Sequence, residues 1–119
     1  MLVLCDRYPQ TSVQGFNDGP LLAALADSRS RFLRRLGAWE QAVYAEAVGD
    51  GPDLVLKLRV SPAVAVARKP EMSTEEIERR LSAVAAVELG PRCSVLEVDA
   101  DRPLEDVLLE VKRAIWEQL

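Results

Sequence analysis

Three short aliphatic runs, separated by amphipathic stretches, organise the chain. Leu2-Val3-Leu4-Cys5, Asp53 to Val60 and Cys93 to Val98 are each bounded by turn signals and read as strands. Between Pro20 and Val48 the residues Leu21, Leu22, Leu25, Phe32, Leu36, Trp39, Val43 and Val48 recur at three- and four-residue spacing. That spacing predicts a long helix, dented or divided at Gly37. A short helix is expected from Pro62 to Arg68 or Lys69, with proline in its first turn. Ser73-Thr74-Glu75-Glu76 has the spacing of a capping box and opens a helix with Ile77, Leu81, Val84 and Leu89 inward. The last helix begins near Pro103 and carries Leu104, Val107, Leu108, Val111, Ile115 and Leu119. Gly-Pro recurs at 19–20, 51–52 and 90–91, each time ahead of a new element.

This order predicts an α/β fold, a parallel sheet with flanking helices and about three strands in this chain. Ligands of such sheets sit outside the carboxyl ends of the strands. Asp6-Arg7-Tyr8, Ser61-Pro62 and Asp99-Ala100-Asp101 are therefore the segments to watch.

Composition narrows the function classes. A length of 119 residues fits a single domain over 1–119. With 49% apolar residues the chain is no disordered tail. A net charge of −4 leaves no basic surplus for general binding of a nucleic-acid polymer. The apolar runs fall far short of the ~20 residues that span a bilayer, so no membrane partner is expected. Met1 to Cys5 runs straight into Asp6-Arg7, which is not a signal-peptide pattern. Cys5 and Cys93 lie in apolar runs and are expected as buried free thiols, placing the chain in the cytoplasm. Histidine is absent, which removes His-based general catalysis and most zinc sites.

Asp6-Arg7 combines a carboxylate able to hold Mg²⁺ with a guanidinium able to fork onto phosphate oxygens. The same pair is equally well read as an exposed ion pair. Arg68-Lys69 and Arg79-Arg80 flank a Pro-Glu-Met-Ser segment, and residues 68–80 could close as a lid over transferring phosphates. The alternative for the helical arginines is a solvated face paired with Glu75, Glu76 and Glu78. Asp99 to Pro103 either lines a base or caps the last helix, capping being the plainer reading. Trp39, Tyr44 and Trp116 are read as packing residues.

Cys5-Asp6-Arg7-Tyr8 resembles the Asp-Arg-Tyr/Phe motif of thymidylate kinases and related P-loop nucleoside and nucleotide kinases. Pro52 to Pro62 followed by Ala67-Arg68-Lys69 is similar to that family's fourth strand, its next helix and the approach to its lid. Glu97-Val98-Asp99-Ala100 followed by Pro103 to Val107 resembles its last strand, adenine-side loop and terminal helix. The resemblance implies ATP as phosphoryl donor, Mg²⁺, and a nucleoside or nucleotide acceptor. It places Asp6 at the metal and phosphates, Arg7 on phosphates, and Tyr8 and Gln14 on the substrate side. Arg68, Lys69, Arg79 and Arg80 would contact donor phosphates on closure, and Asp99-Ala100-Asp101 would border the adenine.

The sequence departs from that family in two places. Where that family continues with paired serines and a Tyr-Gln-Gly, Pro9 to Phe16 is shorter and lacks that tyrosine, and the Asn17-Asp18-Gly19-Pro20 insertion points to a divergent member. The lysines Lys57, Lys69 and Lys112 follow Leu56, Arg68 and Val111, so no Gly-Lys of a P-loop exists. The resemblance thus implies the carboxyl-terminal part of a kinase, inactive alone, with the P-loop half upstream or a second copy as its partner. The alternatives are a non-catalytic α/β module that binds a nucleotide or partner, and an unrelated flavodoxin-like domain.

Overall fold

A strand is stable only where its main-chain groups find a neighbour, and two of the three aliphatic runs find each other. In the computed structural model, which describes residues 1–16 and 19–119, β1 (Leu54–Arg59) and β2 (Ser94–Asp99) form a parallel pair. The register runs from Leu54 opposite Ser94 to Arg59 opposite Asp99. Side chains alternate across a strand, so Leu54, Leu56 and Leu58 share one face with Leu96 and Val98. The other face carries Val55, Lys57 and Arg59 beside Val95, Glu97 and Asp99, with Lys57 opposite Glu97. The parallel α/β architecture is as expected, with two strands among the described residues instead of three. Leu2 to Cys5 is irregular and exposed and takes no part in the ladder among the described residues.

Contacts within the chain gather into two compact units. The first comprises Met1–Gly51 with Ala86–Pro91, the second Pro52–Ala85 with Arg92–Leu119.

In the first unit a short 3₁₀ helix (Ala23–Asp27) precedes α1 (Arg31–Gly49). The expected long helix is interrupted at Ser28-Arg29-Ser30, where Ser28 and Ser30 are extended, and not at Gly37. Serine side chains compete for nearby main-chain groups, which weakens helix there. Gly37 sits inside α1, and a Cβ on it would lie 3.0 Å from the Leu22 carbonyl oxygen. One turn on, the Glu40 carboxylate accepts from the Leu21 and Leu22 amides at 3.2 and 2.7 Å. Glycine and glutamate together dock the 3₁₀ helix on α1.

The second unit holds the sheet, α2 (Pro62–Arg68), α3 (Thr74–Ala86) and α4 (Leu104–Gln118). Val98 is wholly buried, and Val107 and Ala114 are buried on α4, which packs against both strands. Ile77 and Ala83 are the buried positions of α3, whereas Leu89 is buried beyond its end, in the first unit.

Three further expectations are corrected. Ser73 Oγ accepts from the Glu76 amide at 3.2 Å, but the Glu76 carboxylate turns to Arg79 and Arg80, so the box is half made. Cys5 is exposed, because its run forms no strand; Cys93 is half-buried, and burial pushes its thiol pKa up. Trp39 and Trp116 are largely exposed, at 64% and 78%, and pack little.

Candidate functional site at the strand ends

Where β1 and β2 stop, their chains must part, and the parting leaves a hollow. It measures about 380 Å³ and is lined by Arg59, Val60, Ser61, Pro62, Asp99 and Asp101. All six belong to the second unit. The location is the one that parallel-sheet topology dictates for a ligand.

Its wall is built by hydrogen bonds that continue the ladder past its end. The Ala100 amide donates to the Arg59 carbonyl at 2.7 Å. The Ser61 amide donates to Asp101 Oδ1 at 2.9 Å, and the Asp101 amide to Asp99 Oδ1 at 3.0 Å. Ser61 is the N-cap of α2, its Oγ accepting from the Val64 amide at 3.4 Å. From the last turn of that helix Arg68 Nη2 donates to the Ala100 carbonyl at 2.9 Å. Arg102 Nε donates to the Asp99 carbonyl at 3.1 Å, and its guanidinium pairs with Glu110, which holds its pKa above the usual arginine range.

The two aspartates do not cap α4. Its N-cap is Pro103, with no side-chain hydrogen bond, and Glu105 and Asp106 in the first turn complement the helix dipole. The Asp101 and Asp99 carboxylates accept instead from the amides of Ser61 and Asp101, respectively. The hollow thus has two carboxylates on its β2 side and one guanidinium, Arg59, which also lies 3.8 Å from Glu97. A wall of that charge favours donor groups such as amines and hydroxyls over phosphate oxygens.

The other sequence-derived residues fall elsewhere. Asp6 and Arg7 are exposed in the irregular amino-terminal segment, in the other unit from the hollow. Tyr8 is half-buried, and its hydroxyl donates to the Ala47 carbonyl of α1 at 3.3 Å. Gln14 is exposed on the loop after it. Lys69 is the exposed C-cap residue of α2. On α3, Arg80 Nε lies 2.8 Å from Glu76 Oε1, and Arg79 pairs with the same carboxylate. Those bonds, Arg80 first and then Arg79, hold the Glu76 pKa below the ordinary carboxylate range. Asn17 and Asp18 of the insertion lie outside the described residues.

Gln10 is a residue that sequence reasoning passed over. It is wholly buried, and its Nε2 donates to the carbonyls of Val13 and Phe16 at 2.6 and 2.7 Å. The Val13 amide in turn donates to its Oε1 at 2.7 Å. One side chain thus shapes the loop that carries Gln14, and a Cβ on Gly19 would collide with the same group. A buried glutamine in a loop has no periodicity to betray it.

No family model matches the chain. It is similar to the uncharacterized ATP-binding protein YghR of Escherichia coli K12, 25% identical over 97% of this chain. It is also similar to the uncharacterized ATP-binding protein YghS of the same organism, 29% identical over 96%. The chain spans about half the length of these curated relatives, 45% and 48% respectively. No solved structure matches it. Among the described residues no helix is long and apolar enough to cross a membrane.

Proposed function

We propose that this chain is the carboxyl-side part of an ATP-dependent phosphotransferase acting on a nucleoside or nucleotide. In this reading its strand-end hollow takes the nucleoside end of ATP. The observation that carries it is the hollow itself, which opens at the carboxyl ends of two parallel strands and is walled by Asp99 and Asp101. An acidic wall suits the amine of an adenine and the hydroxyls of a ribose, and leaves the triphosphate to other parts of the protein. The names of YghR and YghS, both ATP-binding proteins, support the nucleotide.

Arg68, held at the Ala100 carbonyl, would reach the phosphates together with Lys69, and Arg79 and Arg80 would join when segment 68–80 closes. Arg79 and Arg80 would first have to leave Glu76. The resemblance to nucleotide kinases, and not the geometry of the hollow, assigns Asp6 and Arg7 to phosphates and Tyr8 and Gln14 to an acceptor. Among the described residues no group of three or more metal-ligating side chains gathers. A Mg²⁺ ion that takes its other ligands from phosphates and water needs only one or two carboxylates, so the donor chemistry of Asp6 fits. Such an ion would supply charge neutralisation at the phosphates.

The absence of a Gly-Lys pair favours a second reading, a module that binds a nucleotide without transferring phosphate. Calorimetry of the 119-residue chain with ATP, AMP and adenosine tests the common ground of both. All three are expected to bind, ATP the tightest because Arg68 and Lys69 reach its phosphates, and adenosine still measurably because the hollow reads the end that they share. Absence of binding by all three, or binding that depends wholly on the triphosphate, would overturn this assignment.

A further inference from the structure

We propose that Asp101 is a positioning residue that fixes the strand-end hollow by tethering the main chain where β1 turns into α2. Its effect on nucleotide affinity rests on the reading of the hollow given above; the tether itself rests on the hydrogen bonds alone. The last ladder bond runs from the Ala100 amide to the Arg59 carbonyl. Beyond it β1 and β2 diverge, and nothing in the ladder serves the Ser61 amide. Asp101 Oδ1 serves it, from a position 40 residues further along the chain. The aspartate is itself aimed by the turn in which its own amide donates to Asp99 Oδ1.

A second link closes the circuit. Ser61 caps α2, and Arg68 at the far end of α2 donates back to Ala100, the neighbour of Asp101. Ala100, Asp101, Ser61, α2 and Arg68 therefore form a ring that has Asp101 as one clasp. Ser61, Asp99 and Asp101 line the hollow, so the ring sets its width and the direction in which α2 leaves. Opening the clasp frees Ser61 and loosens the helix that carries Arg68.

The bond and the charge of Asp101 are separable. Asp101→Asn keeps an oxygen acceptor and removes the charge; Asp101→Ala removes both. Ser61→Pro removes the donor instead, together with the Oγ cap of α2, at a residue whose φ of −69° already suits proline. The experiment measures amide exchange at Ser61 and affinity for adenosine and ATP in the full 119-residue chain and the Asp101 variants, with affinity alone read for Ser61→Pro. Asp101→Ala is expected to speed Ser61 exchange about tenfold and to weaken adenosine about three- to tenfold, and ATP at least as much. Asp101→Asn should leave Ser61 exchange near that of the parent chain and lose less affinity than Asp101→Ala, because it gives up the charge of the wall but keeps the tether, and Ser61→Pro should weaken adenosine although the charge of Asp101 stays. Unchanged Ser61 exchange in Asp101→Ala overturns the tether. Equal losses in Asp101→Asn and Asp101→Ala overturn it as well, by assigning the effect to charge. If the parent chain binds neither ligand, the nucleotide reading falls and takes the effect on affinity with it, whereas Ser61 exchange still decides the tether.

Discussion

Leu2-Val3-Leu4-Cys5 and Leu54-Val55-Leu56 are nearly the same peptide, and only the second is a strand. The difference lies outside both. Leu54 to Arg59 has β2 beside it in register over six residues, and Val98 within that register, opposite Leu58, is wholly buried. Leu2, Val3 and Leu4 have no such neighbour and stand 53%, 64% and 71% exposed. An aliphatic run is an offer of main-chain bonds and apolar surface, and a strand results only where the offer is taken up. The carboxyl ends of strands follow the same logic. Asp6, after the unpaired run, lies exposed in irregular chain, whereas Asp99 and Asp101, after the paired one, are fixed by amides into the wall of a hollow.

The largest expected effect tests whether burial makes the difference. Val98→Asp places a charge where no water reaches and should cost about 3 kcal/mol or more, unfolding the second unit in chemical denaturation. Arg68→Ala should act locally: the fold persists while affinity for ATP falls about three- to tenfold, read by calorimetry, through loss of the bond to Ala100. Leu4→Asp should change stability by less than about 0.5 kcal/mol, because the residue is already in water. A larger loss there would mean that the amino-terminal run is buried in solution after all.

The smallest effect belongs to Glu76. Its pKa is lowered in the folded chain, so its contribution is present at neutral pH and is lost as pH falls from the ordinary carboxylate value through the lowered one. The pair is surface-borne, with both arginines exposed and the carboxylate only half-buried, so solvent screens it and the effect is slight. Glu76→Gln should flatten the acid limb of α3 helicity in circular dichroism; superimposable titrations of the two chains would contradict this.

Much of the second unit was legible because its signals are local. Proline at the start of α2 and the apolar stripe of α4 placed both helices, and the two paired runs are displaced by only one residue or so from their expected bounds. The position of the hollow followed from topology alone. What escaped reading depends on distant partners. Ser28-Arg29-Ser30 breaks a periodic stretch, and Gly37 serves the close approach of the Leu22 carbonyl. Glu76 prefers two arginines ahead of it to the amide behind it. Asp101 bonds an amide 40 residues away instead of capping the helix next to it. No spacing rule along the chain encodes such choices, because each is decided by which donor the fold brings nearest.

We infer that the carboxyl ends of β1 and β2 form a site for the nucleoside end of ATP. Titrating ATP into the isotope-labelled chain and following the main-chain amide resonances tests it most directly. Shifts are expected to concentrate at Arg59, Val60, Ser61 and Asp99 to Asp101, and adenosine should reproduce them. Shifts confined to Asp6, Arg7 and their neighbours, or none at all at millimolar nucleotide, would contradict it.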